Sequence, residues 1–257
     1  MKTLTRWIAL ILIAAAALQL CLIGQIAMMA ILSPPSTAFE RSQAWRLLSG
    51  PERLRWSQHW VDYKQISDHL KRAVIASEDD GFANHEGVDW DALEKAWQKN
   101  AKAEALAAKR QSEAAAKVRP GAKAEAKAPP AVKPPKVVGG STITQQLAKN
   151  LFLSGERTLL RKGQEFILTF ALERLLSKER ILEIYLNHVE WGEGVFGAEA
   201  AAQHYFRKPA AKLTAFEAAR LAVMLPRPKY FEKLPNSNYL AARAEVIVGR
   251  MASAELP

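Results

Sequence analysis

The chain has 257 residues, 49% hydrophobic and 24% charged, enough to bury a core in one large domain or two small ones. A formal net charge of +10 points to an anionic partner: nucleic acid, a membrane surface or a phosphate-bearing substrate. The single cysteine, Cys21, excludes an internal disulfide framework and a multi-cysteine zinc site.

Residues 7–32, WIALILIAAAALQLCLIGQIAMMAIL, carry no charge. About 20 such residues cross a bilayer core, and a signal peptide uses only ~7–15, so an uncleaved anchor is favoured over a leader. Lys2 and Arg6 precede the span and are set against Arg41 and Arg46 beyond it. The expected topology is a cytoplasmic tip at 1–6, an anchor at 7–32 and an extracytoplasmic remainder at 33–257. That placement weighs against nucleic acid and leaves Cys21 as a small apolar residue in lipid. Pro34 and Pro35 stop the helix. Residues 39–65 then carry Trp45, Trp56 and Trp60, which suit either the membrane interface or a core.

AVIASEDDGFANHEG, 73–87, ends a helical pattern in three acids, where the backbone dipole is already negative. Leu70, Val74 and Glu78 share one face, so Glu78 continues an apolar stripe. Burial and the helix C-terminus both disfavour its charged form and suit it to general-base work. Gly81 is positioned to end the helix in a left-handed conformation. The plain alternative is a solvated helix end, with Phe82 and His85 as local packing.

Residues 98–136 form a low-complexity insertion. An Ala/Lys/Glu stretch reads as a solvated helix, and the following VRPGAKAEAKAPPAVKPPK as an extended linker. Between 97 and 138 ten Lys or Arg stand against three Glu, so much of the net charge lies here. Contact with anionic lipid headgroups is a weaker alternative to simple solvation.

GGSTITQQLAKN, 139–150, opens a helix. Thr142 and Gln145 have capping-box spacing, with Ser141 competing as the cap. Thr142, Gln146 and Lys149 form a polar line, opposite Ile143, Leu147 and Leu151. The hydroxyls, the lysine and a helix N-terminus together suit a phosphate, although the P-loop spacing is absent. A plain amphipathic helix with a solvated face is the alternative.

One long helix is expected over 159–186. Glu165 sits at the edge of its core-facing arc, with Arg161 one turn earlier on the same face. A Glu on a core face needs a partner or a job, and Arg161 offers a structural salt bridge. Glu173 and Arg174 read as solvent residues. Further helices are expected at 196–206, 213–224 and 239–252, and LPRPKYF near 225 as a proline-rigid loop. Gly192, Gly194 and Gly197 signal close backbone approach. The pattern gives no convincing alternating strand, so the soluble part reads as mainly α. His59, His69, His188 and His204 show no ligand spacing.

Five stretches in order, EDDGFANHEGVDW, GGSTITQQLAKNLFL, RKGQE with KERILEIYLN, WGEGVFGAEAAAQHYF and LTAFEAARLAVMLPRPKYF, resemble the successive motifs of the family 51 peptidoglycan glycosyltransferases. The resemblance covers roughly 55–235. It departs from the family in the expanded connection at 98–136. No Ser-x-x-Lys occurs in the chain, so it looks like the single-activity, membrane-anchored branch, without a transpeptidase domain.

The resemblance implies a mainly α, two-lobed, lysozyme-like domain on a bacterial inner-membrane anchor, facing the periplasm. It implies polymerisation of lipid II into β-1,4 glycan strands with inversion, releasing undecaprenyl pyrophosphate. Glu78 matches the general base. Glu165 matches a second family glutamate near the pyrophosphate. Asp79, Phe82 and His85 match the first motif, and Ser141, Thr142, Gln146, Lys149, Arg161 and Lys162 lie at substrate-binding positions or beside them. No cofactor is required by the sequence, and a divalent cation, Mg or Mn, is an open option at the pyrophosphate. The implied partners are lipid II, the growing strand, the membrane and other cell-wall synthesis proteins. A lysozyme-like hydrolase and an inactive membrane-tethered scaffold are the competing readings.

Overall fold

The computed structural model describes residues 2–50, 55–116, 140–153 and 158–257. In chain order they form α1 (Lys2–Met28), α2 (Ala38–Leu48), β1 (Ser57–Gln58), α3 (Asp68–Glu78), α4 (Trp90–Ala116), α5 (Ile143–Phe152), α6 (Leu159–Leu175) and α7 (Lys178–His188). Then follow β2 (Glu190–Gly192), β3 (Val195–Phe196), α8 (Ala198–Phe206), α9 (Ala215–Met224), α10 (Pro228–Glu232) and α11 (Asn238–Arg250). The protein is mainly α. It divides into two compact units, residues 1–88 with 142–257, and residues 89–141.

In the larger unit, α1 is long and apolar enough to cross a membrane, and most of its length is exposed. At its far end Ile26 is buried, and Leu22 and Met29 pack on the core. The helix stops at Met28 and residues 29–32 form a turn, so the expected span ends in non-helical backbone before Pro34. The core is built where α9 packs on α3 and α11, and α5 on α6 and α7. Every residue of α7 from Ile181 to His188 is buried.

Three local readings change, and one holds. The helix expected over 159–186 is two helices. Ser177 interrupts it, because its hydroxyl accepts from Arg180 N and caps α7. Three short strands form a sheet in the order β1-β3-β2, β1 parallel and β2 antiparallel to β3. At two or three residues each they are too short to display a period of two. The expected loop near 225 contains the one-turn α10, opened by Pro228 at its first position. Gly194 meets the expectation of close approach: at φ +72°, a Cβ would lie 1.8 Å from Arg55 O.

Helix α6 is rotated relative to its expected face. Glu165, Leu168, Thr169 and Leu172 are buried, so Glu165 sits within the core-facing arc instead of at its edge. Ile167 and Phe170 are about half exposed, and Leu159 and Leu160 almost wholly so. The apolar arc is wide because the helix has a second apolar flank outside the core, and periodicity alone sums the two. Glu173 is not a solvent residue: its Oε1 accepts from Thr144 Oγ1 at 2.5 Å and pairs with Lys178 at 2.9 Å.

The smaller unit holds α4, the Ala/Lys/Glu helix that composition implies, with Trp90 and Trp97 exposed. The proline-rich linker and Gly139 lie outside the described residues.

Candidate active site

The three acids at the end of α3 have three different fates. Leu70 and Val74 are fully buried, and Glu78 follows them on the same face, partly buried. Its carboxyl is pushed up, chiefly by burial. Bonds from Gln146 and Ser77 and the charge of Lys149 oppose that shift, and Asp79 adds to it. Gln146 Nε2 donates to Glu78 Oε2 at 3.1 Å, and Tyr185 Oη donates to Gln146 Oε1 at 2.9 Å. Tyr185 is fully buried, and burial pushes its hydroxyl well up, so it stays a neutral donor. The result is an oriented chain, Tyr185 to Gln146 to Glu78.

Asp79 turns inward. Its Oδ2 accepts from Ile143 N, the first residue of α5, at 2.9 Å. Its Oδ1 lies 2.8 Å from His85 Nε2. Gly87 N donates to His85 Nδ1 at 3.1 Å, so the imidazole proton is on Nε2 and faces Asp79. The carboxylate therefore occupies the anion site at the N-terminus of α5. This revises the expectation of a phosphate cradle there, because a protein side chain already takes that role. Asp80 is exposed, 3.3 Å from Arg250.

Thr142 is the cap of α5, as its spacing predicts, and it is buried. Its Oγ1 accepts from Gln145 N at 3.2 Å and donates to Gly87 O at 2.6 Å. Gly87 adopts φ +85°, and a Cβ there would lie 2.7 Å from Thr169 Cγ2, so only glycine fits the turn. Gly81 does not take the left-handed role: α3 ends through Asp79 at φ −162°. Phe82 is fully buried, beneath the Lys178 ammonium 4.6 Å from its ring centre. Asp79, Phe82, His85 and Thr142 thus stand as supports. Gln146 is partly exposed and Lys149 is exposed; Ser141, in the smaller unit, is also exposed.

On α6, Glu165 is buried and holds two cations. Arg161 Nη1 donates to its Oε2 at 3.0 Å, and Lys162 Nζ pairs with its Oε1. The expected Arg161 partner is present, and Lys162 joins it. Both cations remain partly exposed and can face an anion. Each carboxylate oxygen of Glu165 thus meets one cationic side chain, Arg161 on Oε2 and Lys162 on Oε1. Among the described residues no group of three or more His, Cys, Asp or Glu gathers for a metal.

Tyr185 and Glu173 are the site residues the sequence reading misses. Tyr185 lies in the apolar pattern ILEIYLN, which shows burial but not the amide its hydroxyl meets. The only signal is a buried phenol, which normally requires a partner.

A family model described as Transglycosylase matches residues 50–110 and 121–252, so its one break falls inside the Ala/Lys/Pro insertion. The chain is 52% identical to a "Biosynthetic peptidoglycan transglycosylase" of Burkholderia thailandensis, over 94% of this chain and 82% of that protein. It is 50% identical to one of Paraburkholderia phytofirmans, over 98% and 94%. It is 51% identical to one of Herminiimonas arsenicoxydans, over 88% and 84%.

Proposed function

The chain belongs to the transglycosylase family and is a peptidoglycan glycosyltransferase, and on that premise we propose that it polymerises lipid II with Glu78 as general base. The observation that carries the assignment is Glu78 itself: a carboxyl made more basic by burial and aimed by Gln146. It takes the proton of the acceptor sugar 4-hydroxyl as that oxygen bonds to the donor anomeric carbon. The bond from that carbon to the pyrophosphate breaks, and the electron pair leaves on the phosphate oxygen. Attack opposite the leaving group turns an α-linked donor into a β-1,4 product. The proton on Glu78 then passes to solvent.

The departing pyrophosphate needs charge stabilisation more than a proton. Arg161, Lys162 and Lys149 supply it, with Glu165 buried behind Arg161 and Lys162 to fix their positions. A hydrolase would need a second carboxyl as the acid for an alcohol leaving group. Glu165, with a cation on each oxygen, is poorly placed for that. We further propose that α1 crosses the inner membrane through its exposed N-terminal length and that the rest of the larger unit faces outward, where lipid-linked substrate is presented.

The test is incubation of the full-length protein with lipid II, and separately with finished glycan. Glycan growth from lipid II alone is expected. Shortening of finished glycan, or no growth, overturns the reading.

A further inference from the structure

The anchor carries two amides in otherwise apolar sequence, Gln19 and Gln25. Gln25 turns to its own helix and meets Cys21 Sγ at 3.6 Å. Gln19 reaches across to α6. Its Nε2 donates to Gln164 Oε1 at 2.6 Å, and Gln164 Nε2 returns a bond to Gln19 Oε1 at 3.0 Å. Residues 3–18 of α1 are exposed and Gln19 is the first residue to be partly covered, so the pair closes where the free length of the helix ends, and each amide there meets one donor and one acceptor of the other. A slip of one residue would turn α1 by about 100° and break both bonds.

A second fastening lies further along. Arg180 Nε donates to Met29 O at 2.7 Å, Arg180 Nη2 to Ser33 Oγ at 3.3 Å, and Ile26 is buried between the two points. About 15 Å of chain separates Gln19 from Met29 at helical rise. Two fastenings at different heights hold the anchor in depth and in tilt, so α1 is a packed helix of the larger unit and not a loose tether. Gln164 adjoins Glu165 and lies within one turn of Arg161 and Lys162.

We propose that Gln19 and Gln164 are positioning residues, an amide clasp that fixes the height of Arg161, Lys162 and Glu165 against the membrane holding the donor. The proposal rests on the pyrophosphate role given to that cluster above. Without the clasp the cations still exist, but their alignment with a membrane-held pyrophosphate becomes one of several. The loss falls on substrate capture and not on proton transfer at Glu78.

The experiment uses full-length protein in phosphatidylethanolamine–phosphatidylglycerol vesicles, with polymerisation followed against the surface density of lipid II. Gln19→Leu and Gln164→Leu are each expected to raise the apparent KM at least fivefold, with kcat within twofold of wild type. The double variant is expected to be no worse than the poorer single, since both remove one interaction. An unchanged KM, a fall in kcat at constant KM, or additive losses would overturn the proposal. As a second arm, Gln19→Cys and Gln164→Cys in a Cys21→Ser background are expected to join through a short bismaleimide and to recover a KM near wild type. Failure to join, or a joined protein with raised KM, counts against the clasp. Wild-type protein that makes no glycan would sink the functional reading, and the clasp proposal that rests on it.

Discussion

Glu78 and Glu165 are the same residue type and both at least partly buried, yet their surroundings oppose each other. Glu78 is held by a neutral amide, and burial outweighs the charge of nearby Lys149, so its carboxyl is more basic than usual. Glu165 has a guanidinium on one oxygen and an ammonium on the other. The first arrangement favours accepting a proton. The second favours staying put and holding cations toward an anion. Residue identity does not decide the role; what fills the space around each carboxylate does.

The comparison is broken most severely at Glu78. Glu78→Gln should lower lipid II polymerisation by about 10³–10⁴-fold, because an amide cannot accept the proton. The same change should raise the melting temperature at pH 7. A group whose folded pKa is raised stabilises fully only below its unfolded value and loses that contribution as pH rises through the folded one, so the wild type carries a penalty at neutral pH. The advantage should vanish below about pH 4. A variant melting lower than wild type at pH 7 would contradict the electrostatic account.

At the other corner, Arg161→Ala should reduce polymerisation by about 10²-fold, the usual cost of one positioned donor to a developing charge. Activity near wild type would mean that Lys162 and Lys149 suffice. Gln146→Leu should sharpen the contrast. It removes a bond that lowers the Glu78 pKa, so the acid limb of the pH–rate profile should move to higher pH. It also strands the Tyr185 hydroxyl, at a stability cost of about 1–3 kcal/mol by denaturant titration. The smallest effect belongs to Thr142→Ala, which removes a cap and the bond to Gly87 O. About 1 kcal/mol of stability should be lost, or roughly 2–4 °C in melting temperature, with the shape of the pH profile unchanged.

Sequence by itself determined what repeats within a helical turn or a few. It set the apolar length of α1, the placement of Glu78 on the stripe of Leu70 and Val74, and the Thr142–Gln145 cap. It also set the buried face of Ile143, Leu147 and Leu151 and the pairing of Arg161 with Glu165. Each of these follows from helix geometry over residues a few positions apart. The tertiary structure decided the rest. Asp79 meets α5 across 64 positions, Tyr185 meets Gln146 across 39, and Gln19 meets Gln164 across 145. It also turned α6 so that Glu165 faces inward, and it stopped that helix at Ser177. No local period encodes such pairings. They arise because buried carboxylates, amides, phenols and helix termini must find partners, and only the packed chain determines which partners are within reach.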